Sequence, residues 1–127
     1  MIAGKYQKPL PELLASYGLP KGLFPKNATH YEWEEETGKL TVFIPSIMEV
    51  GYKDSSIVRF AVKVTSTLSQ GKLMNIEGMK TKILMWVKVT CITTEANKKV
   101  IFTANVKKSR PWEAYDVLRD GIQAEAF

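Results

Sequence analysis

The sequence predicts a mainly β protein: a curved, partly open antiparallel β-barrel with a short helix at each end. Three observations predict it. Alternation of apolar and polar residues with period two runs through the middle of the chain, most cleanly over residues 57–67. Apolar residues at helical spacing stand near the two ends, at Leu10, Leu13, Leu14 and Tyr17 and again at Trp112, Tyr115, Leu118 and Ile122. The chain has 127 residues, enough to enclose one core and too few for two. Residues 1–9 read as a loose tail and 10–127 as a single domain, with no internal repeat or linker.

Each element follows from local chemistry. Pro11 sits where the first helical turn tolerates a missing N–H, and Gly18 supplies the left-handed residue that ends a helix. Pro20 and Pro25 prevent a restart. Tyr31 and Trp33 alternate with Glu32 and Glu34, Thr37-Gly38 marks a turn, and Leu40, Val42 and Ile44 return on one side, which makes a hairpin. Pro45 limits further central pairing. Val58, Phe60, Val62 and Val64 face one way from a half-buried strand, with Arg59, Ala61, Lys63 and Thr65 opposite. Gln70-Gly71 turns the chain, and 72–77 make a short strand ending near Gly78.

Residues 79–94 read as the longest strand, with Ile83, Met85, Val87, Val89 and Cys91 on one face. Sixteen extended residues would span roughly 50 Å. That exceeds a small domain, so this strand is expected to bend or bulge. Residues 95–98 turn, and Val100, Phe102, Ala104 and Val106 return on one face. Ser109 is placed to cap a last helix with Pro111 in its first turn.

Composition bounds the function. At 45% hydrophobic and 24% charged, with three Trp, five Tyr and five Phe, the chain is that of an ordinary folded domain. Its net charge of +5 favours phosphate-bearing partners, or simply solubility. The single cysteine, Cys91, rules out an intrachain disulfide and fits a reducing compartment. The stretch Met1 to Lys8 is polar and lacks the apolar centre of a signal peptide, and no run approaches the roughly 18 apolar residues of a membrane span. A cytoplasmic placement, with peripheral membrane contact, is therefore expected.

Catalytic signals are thin. His30 is the one histidine, so any imidazole base must be that residue, and its ordinary role is a surface or edge-strand side chain. No G-x-S-x-G elbow exists, because Thr67-Leu68-Ser69-Gln70-Gly71 lacks the first glycine. Glu34, Glu35 and Glu36 alternate faces on a strand and cannot converge on a metal without a bulge. Cys91 reads as a small core residue. The sequence calls for no metal and no cofactor.

Basic and apolar residues are more informative. Lys80 and Lys82 share a face, and Lys107, Lys108 and Arg110 cluster between the last strand and the last helix. Antiparallel pairing would bring the two groups toward one end of the sheet, where a polybasic surface attracts anionic lipid headgroups. Val58, Phe60, Val62, Met85, Val87, Val89 and Phe102 either fill a core or line an apolar cavity for a small hydrophobic ligand. Trp86 with Lys82 and Lys88 gives only a faint hint of base stacking beside cations, and nucleic acid is not expected as a partner.

The segment Tyr17-Gly18-Leu19-Pro20-Lys21-Gly22-Leu23-Phe24-Pro25 is followed by Gly38-Lys39-Leu40-Thr41-Val42, Gly71-Lys72-Leu73 and Glu77-Gly78-Met79-Lys80-Thr81-Lys82. This order resembles the plant family known as domain of unknown function 538, from about residue 10 to about residue 127, and Lys107-Lys108-Ser109-Arg110 is similar to the ending of its cytosolic branch. The resemblance implies a strongly curved, partly open β-barrel, a link to stress responses and growth, and lipid or phosphoinositide binding, with an esterase-like activity as a rival proposal. Taken together, the expected function is a non-enzymatic module that binds anionic lipid headgroups through Lys80, Lys82, Lys107, Lys108 and Arg110. The alternatives are a weak esterase using His30 and a nearby serine, and a protein-interaction scaffold. Ligand identity and oligomeric state are left open.

Overall fold

The computed structural model describes residues 7–96 and 98–127. Most of the expected tail over 1–9, and Asn97 in the expected turn at 95–98, lie outside the described residues. Helix α1 spans Leu10–Ser16 and buries Leu10, Leu13 and Leu14, with Pro11 in its first turn. Its end is a Schellman cap. Gly18, at φ +75°, donates its N–H to Ala15 O at 3.0 Å, and Leu19 N–H reaches back to Leu14 O at 2.9 Å.

Among the described residues, ten antiparallel strands form one sheet that does not close. They are β1 (His30–Glu34), β2 (Lys39–Phe43), β3 (Met48–Gly51), β4 (Ile57–Ser69), β5 (Lys72–Lys82), β6 (Trp86–Lys88), β7 (Cys91–Glu95), β8 (Lys99–Thr103), β9 (Lys107–Pro111) and β10 (Ile122–Gln123). The main path runs β1-β2-β4-β5-β7-β8-β9. Strands β4 and β5 form the central ribbon. One half of β4 pairs with β2 and the other half with β3, while β5 pairs with β7 near its start and β6 near its end. A ribbon that changes partner along its length must curve, and the curvature is built in at bulges between Phe60 and Thr65 and between Thr65 and Thr67. Gly78 lies in this stretch at φ +98°, and a Cβ there would come within 2.5 Å of Lys63 O.

The core fills the concave side. Leu40, Val42, Phe60, Val64, Leu73, Ile92, Val100 and Phe102 are all at most 1% exposed. The proline-braced segment after α1 adds Leu19, Leu23 and Phe24 to them.

Four expectations are corrected. The long strand over 79–94 does not exist: β5 runs through Gly78 to Lys82, the chain reverses at Ile83–Met85, and β6 returns. The apolar run hid this reversal because it contains none of the Gly, Asn or Asp residues that usually mark one. Cys91 is consequently half-buried rather than a core residue, since Val89 and Ile92 are the buried residues on either side of the break between β6 and β7. The strand expected to end at Val106 stops at Thr103, and 104–106 turn into β9. The last helix, α2, spans only Trp112–Tyr115, with Pro111 rather than Ser109 at its start, and Ile122 belongs to β10. Strands β3 and β10, of four and two residues, were too short for a periodic signal.

Candidate functional site

Register defines the candidate face. Residues directly opposite on antiparallel strands share a side of the sheet, as do residues two apart on one strand. Glu49 pairs with Arg59, Arg59 with Lys80, Lys80 with Lys88, and Lys82 with Trp86. The outer face of β3-β4-β5-β6 therefore carries Glu49, Arg59, Lys80, Lys82, Trp86 and Lys88 together. Its reverse side carries the buried Val58 and Thr81 and the half-buried Val87.

Aromatic rings organise these cations. The Arg59 guanidinium lies 3.9 Å over the Trp86 ring, and its Nε donates to Glu49 Oε2 at 2.8 Å. Lys82 Nζ lies 5.9 Å from the same ring. Lys80 is half-buried; its Nζ donates to Phe127 O at 2.7 Å and stands 4.4 Å over the Phe127 ring. Glu49 offsets Arg59 and Lys80 is engaged by Phe127, so Lys82 and Lys88 are the exposed cations of this face, with Lys80 beside them.

The remaining expected headgroup residues divide. Lys107 and Lys108 are exposed on β9, the terminal strand of the main path. Lys107 opposes Thr103, whose carbonyl accepts the N–H of Thr90, two residues beyond Lys88. Arg110 is not a surface cation at all. It is 7% exposed and lies 4.7 Å from the Phe102 ring. Its Nη1 donates to Thr81 Oγ1 at 2.9 Å and to Tyr115 OH at 3.1 Å. Because Lys107, Lys108 and Arg110 occupy a strand rather than a loop before a helix, they cannot all face one ligand.

Arg110 heads a buried polar chain. Tyr115 OH bonds Ser56 Oγ, and Ser56 donates to Asp54 Oδ1 at 2.6 Å. Two hydroxyls thus connect a buried guanidinium to a carboxylate. Burial drives the Tyr115 hydroxyl up to about 12, against smaller downward pulls from Ser56 and Arg110. Tyr52, stacked on Tyr115 at 4.1 Å, is also pushed well up, first by burial and then by that neighbour.

The expected apolar cavity set also divides. Val58, Phe60, Val89 and Phe102 are core residues, and Val87 is half-buried. Val62 is 50% exposed beside the β4 bulges, and Met85 is 69% exposed in the β5–β6 turn. These two do not line an interior. Two clefts flank α1 instead. One, of about 400 Å³, joins Leu10, Phe24 and Leu118 to Lys21 and Lys26; the other, of about 580 Å³, runs past Tyr17, Trp33 and Glu34. His30 is exposed, with its ring 5.1 Å from Phe43, and among the described residues no serine is hydrogen-bonded to it.

Comparison with known proteins gives the lineage. Residues 10–116 match the family model described as "Protein of unknown function, DUF538". The chain belongs to the DUF538 family. It is also 60% identical over 126 residues to "Uncharacterized protein At5g01610" of Arabidopsis thaliana, an alignment covering 99% of this chain and 74% of that relative. In this DUF538 chain the Tyr17–Pro25 signature has a structural role. Gly22 N–H donates to Tyr115 O at 2.8 Å, and Tyr52 OH donates to Gly22 O at 2.8 Å.

Proposed function

We propose that this DUF538 protein binds anionic phospholipid surfaces, phosphoinositides included, without catalysing a reaction. The observation that supports this reading is the shared outer face of β4-β5-β6, which holds Lys80, Lys82 and Lys88 around Trp86 with Arg59 beside them. Cations on a rigid ribbon meet phosphates with little ordering cost, and a ring among them sits well at a membrane interface. This set replaces part of the one read from sequence: Arg110 leaves it, Lys88 and Arg59 join it, and Lys107, opposite Thr103, extends it along the sheet, whereas Lys108 lies opposite the buried Phe102 on the other side.

Each lysine near an acidic bilayer contributes about 1 kcal/mol, so three give roughly a hundredfold in partitioning. Charge reversal at Lys80, Lys82 and Lys88 should lower pelleting with acidic vesicles by at least that factor. Co-sedimentation with phosphatidylcholine vesicles, with or without phosphatidylserine or a phosphoinositide, checks it. Equal pelleting with neutral and acidic vesicles, or indifference to the triple reversal, would overturn the reading.

A further inference from the structure

The turn joining β5 to β6 breaks the ordinary rules for a turn. Lys82 pairs with Trp86, leaving the three-residue loop Ile83-Leu84-Met85, closed by Ile83 N–H to Met85 O at 3.1 Å. Tight turns favour Gly, Asn, Asp and Ser, each for a conformational or hydrogen-bonding reason. Here all three loop residues are large and apolar. Leu84 is 94% exposed and Met85 69% exposed, and neither belongs to the core cluster. Among the described residues Leu84 and Met85 add nothing to the core, so a surface that takes this pair out of water would gain their burial.

The surroundings say what kind of partner. Lys82 immediately precedes the loop, Trp86 immediately follows it, and Lys80 and Lys88 stand one step farther down the same face. An apolar tip, then an indole, then a belt of ammonium groups matches the layers of an acidic membrane surface in order: acyl chains, interface, headgroup phosphates. An apolar protein pocket would accept the tip but would not require the cationic belt behind it. A soluble polyanion would accept the belt but leave the tip in water.

We infer that the Ile83–Met85 loop is a membrane-inserting tip, with Leu84 and Met85 entering the acyl-chain boundary while Trp86 lies at the interface and Lys80, Lys82 and Lys88 contact headgroups. This rests on the headgroup reading above and adds to it an orientation and a ligand class, the bilayer itself rather than a free headgroup. Because Leu84 and Met85 are largely exposed and stand outside the core cluster, polar replacements should leave the fold intact.

The test uses the full chain with vesicles of phosphatidylcholine and phosphatidylserine, some carrying lipids brominated on the acyl chain near the interface. The double variant Leu84→Asn/Met85→Asn should bind acidic vesicles about tenfold to a hundredfold more weakly, the range expected for exposing one or two apolar side chains. Its thermal midpoint and its affinity for heparin, a soluble polyanion, should match the unaltered protein. Brominated lipid should quench the fluorescence of the unaltered protein more than that of Trp86→Phe. Unchanged vesicle binding by the double variant, with lysine reversal still weakening it, would overturn the inserted tip and leave the headgroup reading standing. If lysine reversal also has no effect, both fall. Loss of a dimer on sizing of the double variant, without a change in vesicle affinity, would assign the tip to a second copy and overturn the proposal.

Discussion

Arg110 shows how one residue can change role between sequence and structure. In the sequence it completes a basic cluster; in the fold it is an interior cation held by Thr81, Tyr115 and the Phe102 ring. A buried guanidinium is tolerated only where its donors meet acceptors, and the Tyr115–Ser56–Asp54 chain provides that route. The same burial has a consequence at high pH. The Tyr115 hydroxyl is raised from its ordinary 10 to about 12, so between those values the unfolded chain loses its proton while the folded chain keeps it. The stabilisation is complete below pH 10 and is lost as pH rises through 12, amounting to roughly 2–3 kcal/mol. Tyr52 acts in the same direction. Circular dichroism during an alkaline titration should show unfolding begin above pH 10, and Tyr115→Phe should move that onset upward relative to its own midpoint at pH 8. An onset unchanged by the substitution would remove Tyr115 as the cause.

At the scale of elements, the segment from Gly18 to Pro25 is a clamp. Its start is fixed by the helix cap, and its middle is pinned to α2 by Gly22. A Cβ on Gly22 would lie 2.2 Å from Val117 O and 2.7 Å from Tyr115 O, both main-chain atoms that cannot rotate away. Gly22→Ala should therefore cost about 3 kcal/mol or more and lower the thermal midpoint by roughly 10 °C. Differential scanning calorimetry would show it, and a midpoint within two or three degrees of the parent would mean that α2 shifts freely. The β5–β6 hairpin is the opposite case, an element whose tip makes no demand on the core. That contrast separates conserving the fold from presenting a surface: substitutions in the clamp should reduce stability, and substitutions at the tip should reduce binding alone.

At the scale of the molecule, an open sheet with a filled concave side leaves its convex face and its tips as the surfaces available to partners. If headgroup attraction and tip insertion act together, salt should weaken vesicle binding without abolishing it. Raising salt from 0.1 M toward 1 M shortens the screening length from about 10 Å to about 3 Å, which should remove most of the lysine contribution. Binding should fall more than tenfold and then level off, whereas Leu84→Asn/Met85→Asn should fall to baseline; flotation at stepped salt would read both. Much of this architecture was legible in the sequence. The alternation at Leu40, Val42 and Ile44 and the stripe at Leu10, Leu13 and Leu14 determined the first hairpin and α1, because burial of one face is written into the spacing of neighbouring residues. So did the Gly18 cap and the choice of an antiparallel, mainly β class. The candidate face was only half legible: Lys80 and Lys82 were visible as a pair, but their union with Arg59 and Lys88 depends on which strands lie opposite. Only the tertiary structure decided that the run after Lys82 turns back, that Leu84 and Met85 face solvent, and that Arg110 faces inward. Strand register, bulges and sheet curvature arise from contacts between segments far apart in the chain, and an apolar run carries the same letters whether it crosses a core or rounds an exposed corner.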